Sequence, residues 1–394
     1  MAEHAIETPE SPFRRGTNSV KWDLSSDPES LPLWVADMDF ACPREIVDAM
    51  SKRLEHPIFG YTFAPESFFE AFRTWAQVYQ SWNFPREHQL YALGMMPAIR
   101  ESLYALTSPG DGVIVQPPVY NPFYTVVENA GRRVVRNPLL REGNRYSMNF
   151  AELEELVRNS QTTLLLLCSP HNPVGRVWTQ TELRRVVELC DRYGVKVLVD
   201  EIHGDLILPG EDFYALGRLG ADNTVTIQSP GKTFNIPSLN TAQVITQNSE
   251  IRSRLSDFFD RAGFEIANSM SLVASEAGYR YGRPWLDGVL AQIQKNTELF
   301  DTLIRGAGLP LMRIPAQGTY LAWVQAKPMQ ESLNLSTRDL QRRIRKDTGV
   351  WISPGSQFDK SEGEGFLRFN LATSEENLRE AIVRIRRWWE DHEG

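Results

Sequence analysis

Between about residues 110 and 250, short unbroken apolar runs alternate with stretches of helical periodicity. The runs are Val113–Val115, Leu164–Leu167, Val195–Val199, Val225–Ile227 and Ala242–Thr246. The clearest intervening helix is Thr181–Tyr193, with Leu183, Val186, Val187 and Cys190 on one face and Gly194 as its stop. Apolar strands alternating with helices predict an α/β fold: a mostly parallel sheet covered by helices on both faces. In such a sheet a ligand lies beyond the carboxyl ends of the strands.

Upstream, a helix is expected after Pro43 with Ile46, Ala49, Met50 and Leu54 on one face. A second spans Ser67–Trp82, where Phe68, Phe72, Trp75 and Tyr79 form a core-facing stripe. A short strand near Leu90–Ala92 leads into Gly94-Met-Met-Pro-Ala-Ile99, which opens a helix to about Thr107. Proline just inside a helix start, behind a glycine turn, leaves N–H groups outward and makes an anion site suited to phosphate. The run Leu31–Phe40 is apolar but broken by aspartates and proline, and reads as an extended segment buried against something else.

Beyond residue 250 the texture changes to a long helix, Pro284–Arg305, strand-like Gly318–Val324 and Gly365–Leu371, and a last helix from Ser374. That helix keeps Leu378, Ile382, Ile385 and Trp389 on one side. These imply a smaller α+β domain. The chain divides into a flexible tail (1–12), an N-terminal segment packing with the small domain (13–50), a large domain (51–284) and the small C-terminal domain (285–394).

Length and charge narrow the classes. A chain of 394 residues suits two lobes. The net charge of −8 without a dense basic block removes the footprint of a nucleic-acid binder. Three scattered cysteines, Cys42, Cys168 and Cys190, form no CxxC pair, so neither a disulfide framework nor a metal site is expected, and a reducing cytoplasm fits. No run of about 18 apolar residues predicts a membrane span.

The chemistry falls at the strand ends. Lys232, in Ser229-Pro-Gly-Lys-Thr-Phe-Asn235, follows the run Val225–Ile227 and is placed to be a partly desolvated, reactive amine. Asp200 ends the run Val195–Val199, where a buried carboxylate needs a cation or donors, and a pyridinium nitrogen is one such partner. His203 and Asn172 are positioned to reach a phenolic oxygen, and Tyr120 to stack on a ring. Arg368 is suited to clamp a carboxylate with paired hydrogen bonds.

Tyr120, Asn172-Pro, Asp200-x-x-His203, Ser229-x-x-Lys232 and a late arginine together resemble the fold type I pyridoxal-phosphate (PLP) enzymes of the aspartate aminotransferase superfamily. Lys21-Trp-Asp23, Leu31–Phe40, Pro170–Trp178, Asp200–His203, Trp285-Leu-Asp287 and Ser353–Ser356 resemble its MalY/PatB-type cystathionine β-lyase branch, from about residue 13 to the C-terminus. The resemblance implies that the sheet is of seven-stranded type and that Lys232 carries the cofactor and shuttles the proton. It pairs Asp200 with the pyridine nitrogen, sets Asn172 and His203 on the phenolic oxygen, and stacks Tyr120 on the ring. The phosphate falls to Ser229 and the backbone at Met95 and Met96, with Tyr61 reaching in from a partner subunit, and the substrate carboxylate falls to Arg368. Shared sites of this kind imply a homodimer.

The implied reaction is α,β-elimination on an S-substituted cysteine, cystathionine or a larger conjugate, to a thiol, pyruvate and ammonia. Aminotransfer, decarboxylation with oxidative deamination, or a regulatory role on the same scaffold are the rivals. His203 favours the lyase, since aminotransferases usually carry tyrosine there. Three positions depart from the pattern. Gly231 stands where a small hydroxyl residue is usual, and Ser169 where asparagine is common. Asn240 replaces a basic residue that would meet the phosphate, a charge-assisted bond worth about 1.5–3 kcal/mol.

Overall fold

The computed structural model describes residues 9–392. The large sheet has seven strands: β1 (Gln89–Ala92), β2 (Gly112–Val115), β3 (Arg133–Arg136), β4 (Thr162–Cys168), β5 (Lys196–Asp200), β6 (Thr224–Gln228) and β7 (Ala242–Ile245). Their order across the sheet is β1-β7-β6-β5-β4-β2-β3. The block from β6 to β3 is parallel, while β7 runs antiparallel to both of its neighbours. All seven residues of β4 are apolar or threonine and nearly all are buried, as expected of a central strand covered on both faces. One face packs on the helices Met95–Leu106 and Ser249–Arg261, the other on Gln180–Arg192.

The predicted strands of the large sheet are present within a residue or two of the expected bounds. β3 escapes the pattern because Arg133-Val-Val-Arg136 is a half-exposed edge strand with arginine at both ends. The helix Gln180–Arg192 starts in a reciprocal capping box between Thr179 and Glu182, and Gly194 follows it at φ 72°.

Two expected core positions turn outward. Leu54, at the end of the helix Arg44–Leu54, is 53% exposed, because that helix rests on Ser269–Tyr281 only through its earlier turns, about Ile46. Tyr79, in the last turn of Glu66–Tyr79, is 45% exposed, though its ring still packs on Trp75 with centroids 4.5 Å apart. Within the expected tail, the Glu10 carbonyl accepts from the Ala41 N–H at 2.8 Å, and the Ser11 hydroxyl donates to the Asp39 carbonyl at 2.8 Å. Residues 1–8 of that tail lie outside the described residues.

The helix Arg283–Gly306 leads to a four-stranded antiparallel sheet made of β8 (Met312–Arg313), β9 (Leu321–Gln325), β10 (Ser353–Pro354) and β11 (Phe366–Asn370), in the order β8-β9-β11-β10. Its core includes Phe300, Val324, Ile344, Leu367, Phe369 and Trp389. The final helix, Glu375–Glu390, is capped by Ser374 and buries Leu378, Ile382, Ile385 and Trp389.

The run Leu31–Phe40 is a strap joining both sheets. Leu31 and Pro32 pair in parallel with Val350 and Trp351. Further along, Asn370 donates to the carbonyls of Val35 and Asp37, both at 2.6 Å. On the other side Asn235 accepts from the Met38 N–H at 3.0 Å and donates to the Met38 and Phe40 carbonyls at 3.0 and 2.7 Å. Asn235 sits at φ 55°, a left-handed conformation that asparagine tolerates better than most side chains. Asn235→Ala loses three hydrogen bonds and keeps the unfavourable backbone, so a loss of about 2–4 kcal/mol is expected. Urea unfolding checks this, and an unchanged midpoint would refute it.

Candidate active site

The four neighbouring parallel strands β6, β5, β4 and β2 each end at one cavity of about 470 Å³. β6 runs into Ser229 and Lys232, β5 ends at Asp200 with His203 beyond it, β4 leads to Asn172, and β2 to Tyr120. Residues distant in the chain become neighbours because parallel strands in one sheet point their carboxyl ends the same way. Met95 and Met96, at the start of the helix Met95–Leu106, close one end, and Arg368 from β11 reaches in from the small sheet. Tyr61 alone of the expected residues is elsewhere. It is 94% exposed, beside Ile58, Phe59 and Phe63, which are exposed as well.

Lys232 lies in the short helical turn Pro230–Thr233, which is capped by the Ser229 hydroxyl. Its amine donates to the Ala36 carbonyl of the strap, which also accepts the Tyr320 hydroxyl at 2.8 Å. Burial lowers the amine to about 8, with Arg368 adding to that effect and Asp37 and Asp200 opposing it. The neighbouring Thr233 hydroxyl donates at 2.9 Å to Asp205, which also accepts from Trp75 and Gln80. The lysine's turn is therefore tied to the aromatic core beneath it.

Asp200 is almost wholly buried, and burial raises its carboxyl to about 6 despite the Ile202 N–H at 3.0 Å and the Lys232 charge. Burial pushes His203 down to about 3, so its ring is neutral at physiological pH, and its Nδ1 meets no partner among the described residues. Asn172 accepts from Arg368 at 3.2 Å. Arg368 also donates to the Trp34 carbonyl at 2.6 Å and stacks over Phe358 at 4.6 Å. Among the described residues its Nε has no partner, and burial lowers the guanidinium to about 10. A buried cation held by one backbone carbonyl and one amide, with no carboxylate among the described residues, is poised for an anionic ligand.

At the other end, Gly94 at φ 117° turns the chain into the helix Met95–Leu106, whose first N–H groups face the cavity region. Ser229 is there, but its hydroxyl is engaged: it donates to the Thr241 carbonyl at 2.7 Å and accepts from the Gly231 N–H at 3.2 Å. The departures from the expected pattern take physical form here. A Cβ at Gly231 would stand 3.3 Å from the Ser229 Oγ and 3.4 Å from Pro237, so the space for a side chain is nearly closed. Asn240 abuts Gly94, and Thr241 beside it keeps a buried hydroxyl without a partner among the described residues. Ser169 is buried, and among the same residues its hydroxyl likewise lacks a partner.

These groups fit PLP. Asp200 is a buried carboxylate with one N–H donor and room for a pyridinium, Lys232 an amine of lowered pKa for an aldehyde, and the helix start with Thr241 and Asn240 a neutral cradle for a phosphate. Several cavity residues carried no recognisable signal in the chain. Ala36 contributes only its carbonyl, Phe358 only its ring face, and Thr241 is an ordinary strand-edge threonine.

Fold and cavity together define a fold type I PLP enzyme. The chain belongs to the aminotransferase class I and II family, whose profile matches residues 30–385. It is 37% identical to the cystathionine beta-lyase PatB of Bacillus subtilis over 95% of this chain and 97% of that protein. It is 31% identical to the protein MalY of Escherichia coli, over 94% and 95%. Among solved structures it resembles cystalysin from Treponema denticola, which contains PLP, with a TM-score of 0.93, 29% identity and coverage of 98% of this chain and 100% of that one.

Proposed function

We propose that this chain is a PLP-dependent carbon–sulfur β-lyase that cleaves an S-substituted cysteine to a thiol, pyruvate and ammonia. The observation that carries the reading is one cavity shared by a buried amine, Lys232, and a buried guanidinium without a carboxylate partner, Arg368. An amino-acid substrate needs both, one for its reacting α-carbon and one for its carboxylate. Membership of the family and relatives named cystathionine beta-lyase, PatB among them, support the same assignment.

When bound, PLP supplies an aldehyde that condenses with amines and a ring that accepts electrons from the substrate α-carbon. Lys232 would hold the group and, as a free amine, would take the α-proton. Asp200 would keep the ring nitrogen protonated. Asn172 and the neutral His203 would bind the phenolic oxygen, beside Tyr120. The N–H groups at Met95 and Met96 would hold the phosphate, joined by Ser229 once its hydroxyl turns from the Thr241 carbonyl. Arg368 binds the α-carboxylate and so orients the Cα–H bond toward Lys232. With the proton removed, the Cβ–S bond breaks and its electron pair leaves on sulfur. The released aminoacrylate hydrolyses to pyruvate and ammonia.

In this reading the region 51–284 holds the cofactor, 285–394 supplies the carboxylate clamp, and 13–50 straps the two. A second copy of the chain covers Ile58, Phe59 and Phe63 and brings Tyr61 to its partner's phosphate. The reaction belongs to the cytoplasm, and no helix among the described residues is long and apolar enough to cross a membrane. Purified, PLP-loaded protein given simple S-alkyl cysteines and cystathionine is expected to release pyruvate and thiol in equal amounts. Release of neither would reject the lyase assignment.

A further inference from the structure

The cavity contains more than the cofactor and an amino-acid backbone require. Besides the groups that the chemistry uses, its lining includes Val20, Trp34, Asn121, Gln357 and Phe358, of which Trp34 and Phe358 touch Arg368. They come from four separate elements: the helical turn Val20–Asp23, the strap, the cap of the helix Pro122–Asn129, and the turn Gly355–Gln357 with the residue after it. None of these side chains is charged. Among the described residues the whole cavity lining has three charged side chains besides neutral His203, namely Asp200, Lys232 and Arg368. The proposed chemistry employs all three.

The wall is also firm. Trp34 stacks on Trp351 with centroids 4.3 Å apart and planes within 8°, and the guanidinium of Arg345 covers Trp351 at 3.3 Å. The Trp34 carbonyl is held by Arg368 and, at 3.2 Å, by the Ser353 hydroxyl. Phe358 is pinned between Arg368 and Trp323. A wall of this kind takes a flat or aliphatic body. Its hydrogen-bonding groups are neutral: the amides of Asn121 and Gln357, and the buried indole N–H of Trp34, which has no partner among the described residues.

Resting on the lyase reading, we infer that the leaving group is a neutral organic thiol with an aromatic or aliphatic body, and that the site selects against S-substituents carrying a distal zwitterion. Cystathionine is the informative comparison. Its distal ammonium and carboxylate stand only a few single bonds beyond the cleaved C–S bond, so both enter this wall. Charges brought there lose water and find no counter-ion, whereas a benzyl or butyl group loses nothing and buries apolar area.

The test compares kcat/KM of the PLP-loaded enzyme for S-benzyl-L-cysteine and L-cystathionine, followed by pyruvate release. The benzyl conjugate is expected to be favoured about 100-fold, the scale on which a pocket rejects a group it cannot pair. Gln357→Arg, which places a cation in the wall, is expected to shrink that preference by about tenfold or more by improving cystathionine. Pyruvate from both substrates with a preference under about tenfold overturns the inference and leaves the lyase reading standing. A Gln357→Arg ratio unchanged from wild type overturns the assignment of this wall. Pyruvate from neither substrate overturns both.

Discussion

Lys232→Ala is expected to lower pyruvate release by about 10⁴-fold, the upper range for a positioned proton-transfer group, and to abolish the colour of the PLP-loaded protein. The protein should remain folded, which makes the result interpretable. Burial has lowered the amine to about 8 from an ordinary value of 10.5, so in the folded state it is held against its preference for charge. Between those values the folded chain binds fewer protons than the unfolded one, and the lysine's contribution to stability rises with pH through that window. Below about 8 the charged amine weighs on the fold in full. Lys232→Met removes that burden and gives up one hydrogen bond to the Ala36 carbonyl. At pH near 7 the cofactor-free Met variant should therefore be more stable than wild type, by about 1–3 kcal/mol. Denaturant midpoints of the two cofactor-free proteins decide this. A less stable Met variant would mean that the amine is well solvated and not primed by burial. The uptake of PLP by wild type should quicken as pH rises toward about 8 and level above it, since the neutral amine is the nucleophile.

Arg368→Leu is the second large effect. The guanidinium makes its hydrogen bonds to Asn172 and the Trp34 carbonyl, stacks on Phe358 and has an unpartnered Nε. A substrate carboxylate would complete it, and losing one member of a buried charge pair costs about 3–5 kcal/mol. The expected loss in kcat/KM is about 10³-fold, with the larger share in KM. Arg368→Lys should recover little, because an ammonium cannot make the paired, planar contact. The discriminating measurement uses S-alkyl cysteamines, which lack the carboxylate. If wild type and Arg368→Leu differ as much on these as on cysteine conjugates, Arg368 acts through the fold and not as an anchor.

Much of this arrangement was readable along the chain. Apolar runs of strand length and the helical stripes at Leu183–Cys190 and Leu378–Trp389 reflect burial, which is written residue by residue. Misreadings fell where burial is set by neighbours. Leu54 and Tyr79 continue their stripes past the point where another element covers them. Arg133–Arg136 is a strand because β2 supplies an edge, not because of its own pattern. The role of Ser229 was legible as a position but not as a partner list, since its hydroxyl is already engaged with Thr241 and Gly231.

By itself the sequence determined the element content and the mostly parallel sheet, and it singled out Lys232, Asp200, Asn172, His203, Tyr120 and Arg368, which the fold brings to one cavity, because side-chain chemistry and local periodicity are properties of the chain. The tertiary structure alone decided the rest. It ran β7 against its neighbours, tied the strap to Lys232 through a backbone carbonyl, left Arg368 without a carboxylate, and built a neutral wall from four separate elements. Those features depend on which distant residues share a small volume. Desolvation and charge are summed over that volume, and no single stretch of chain contains it.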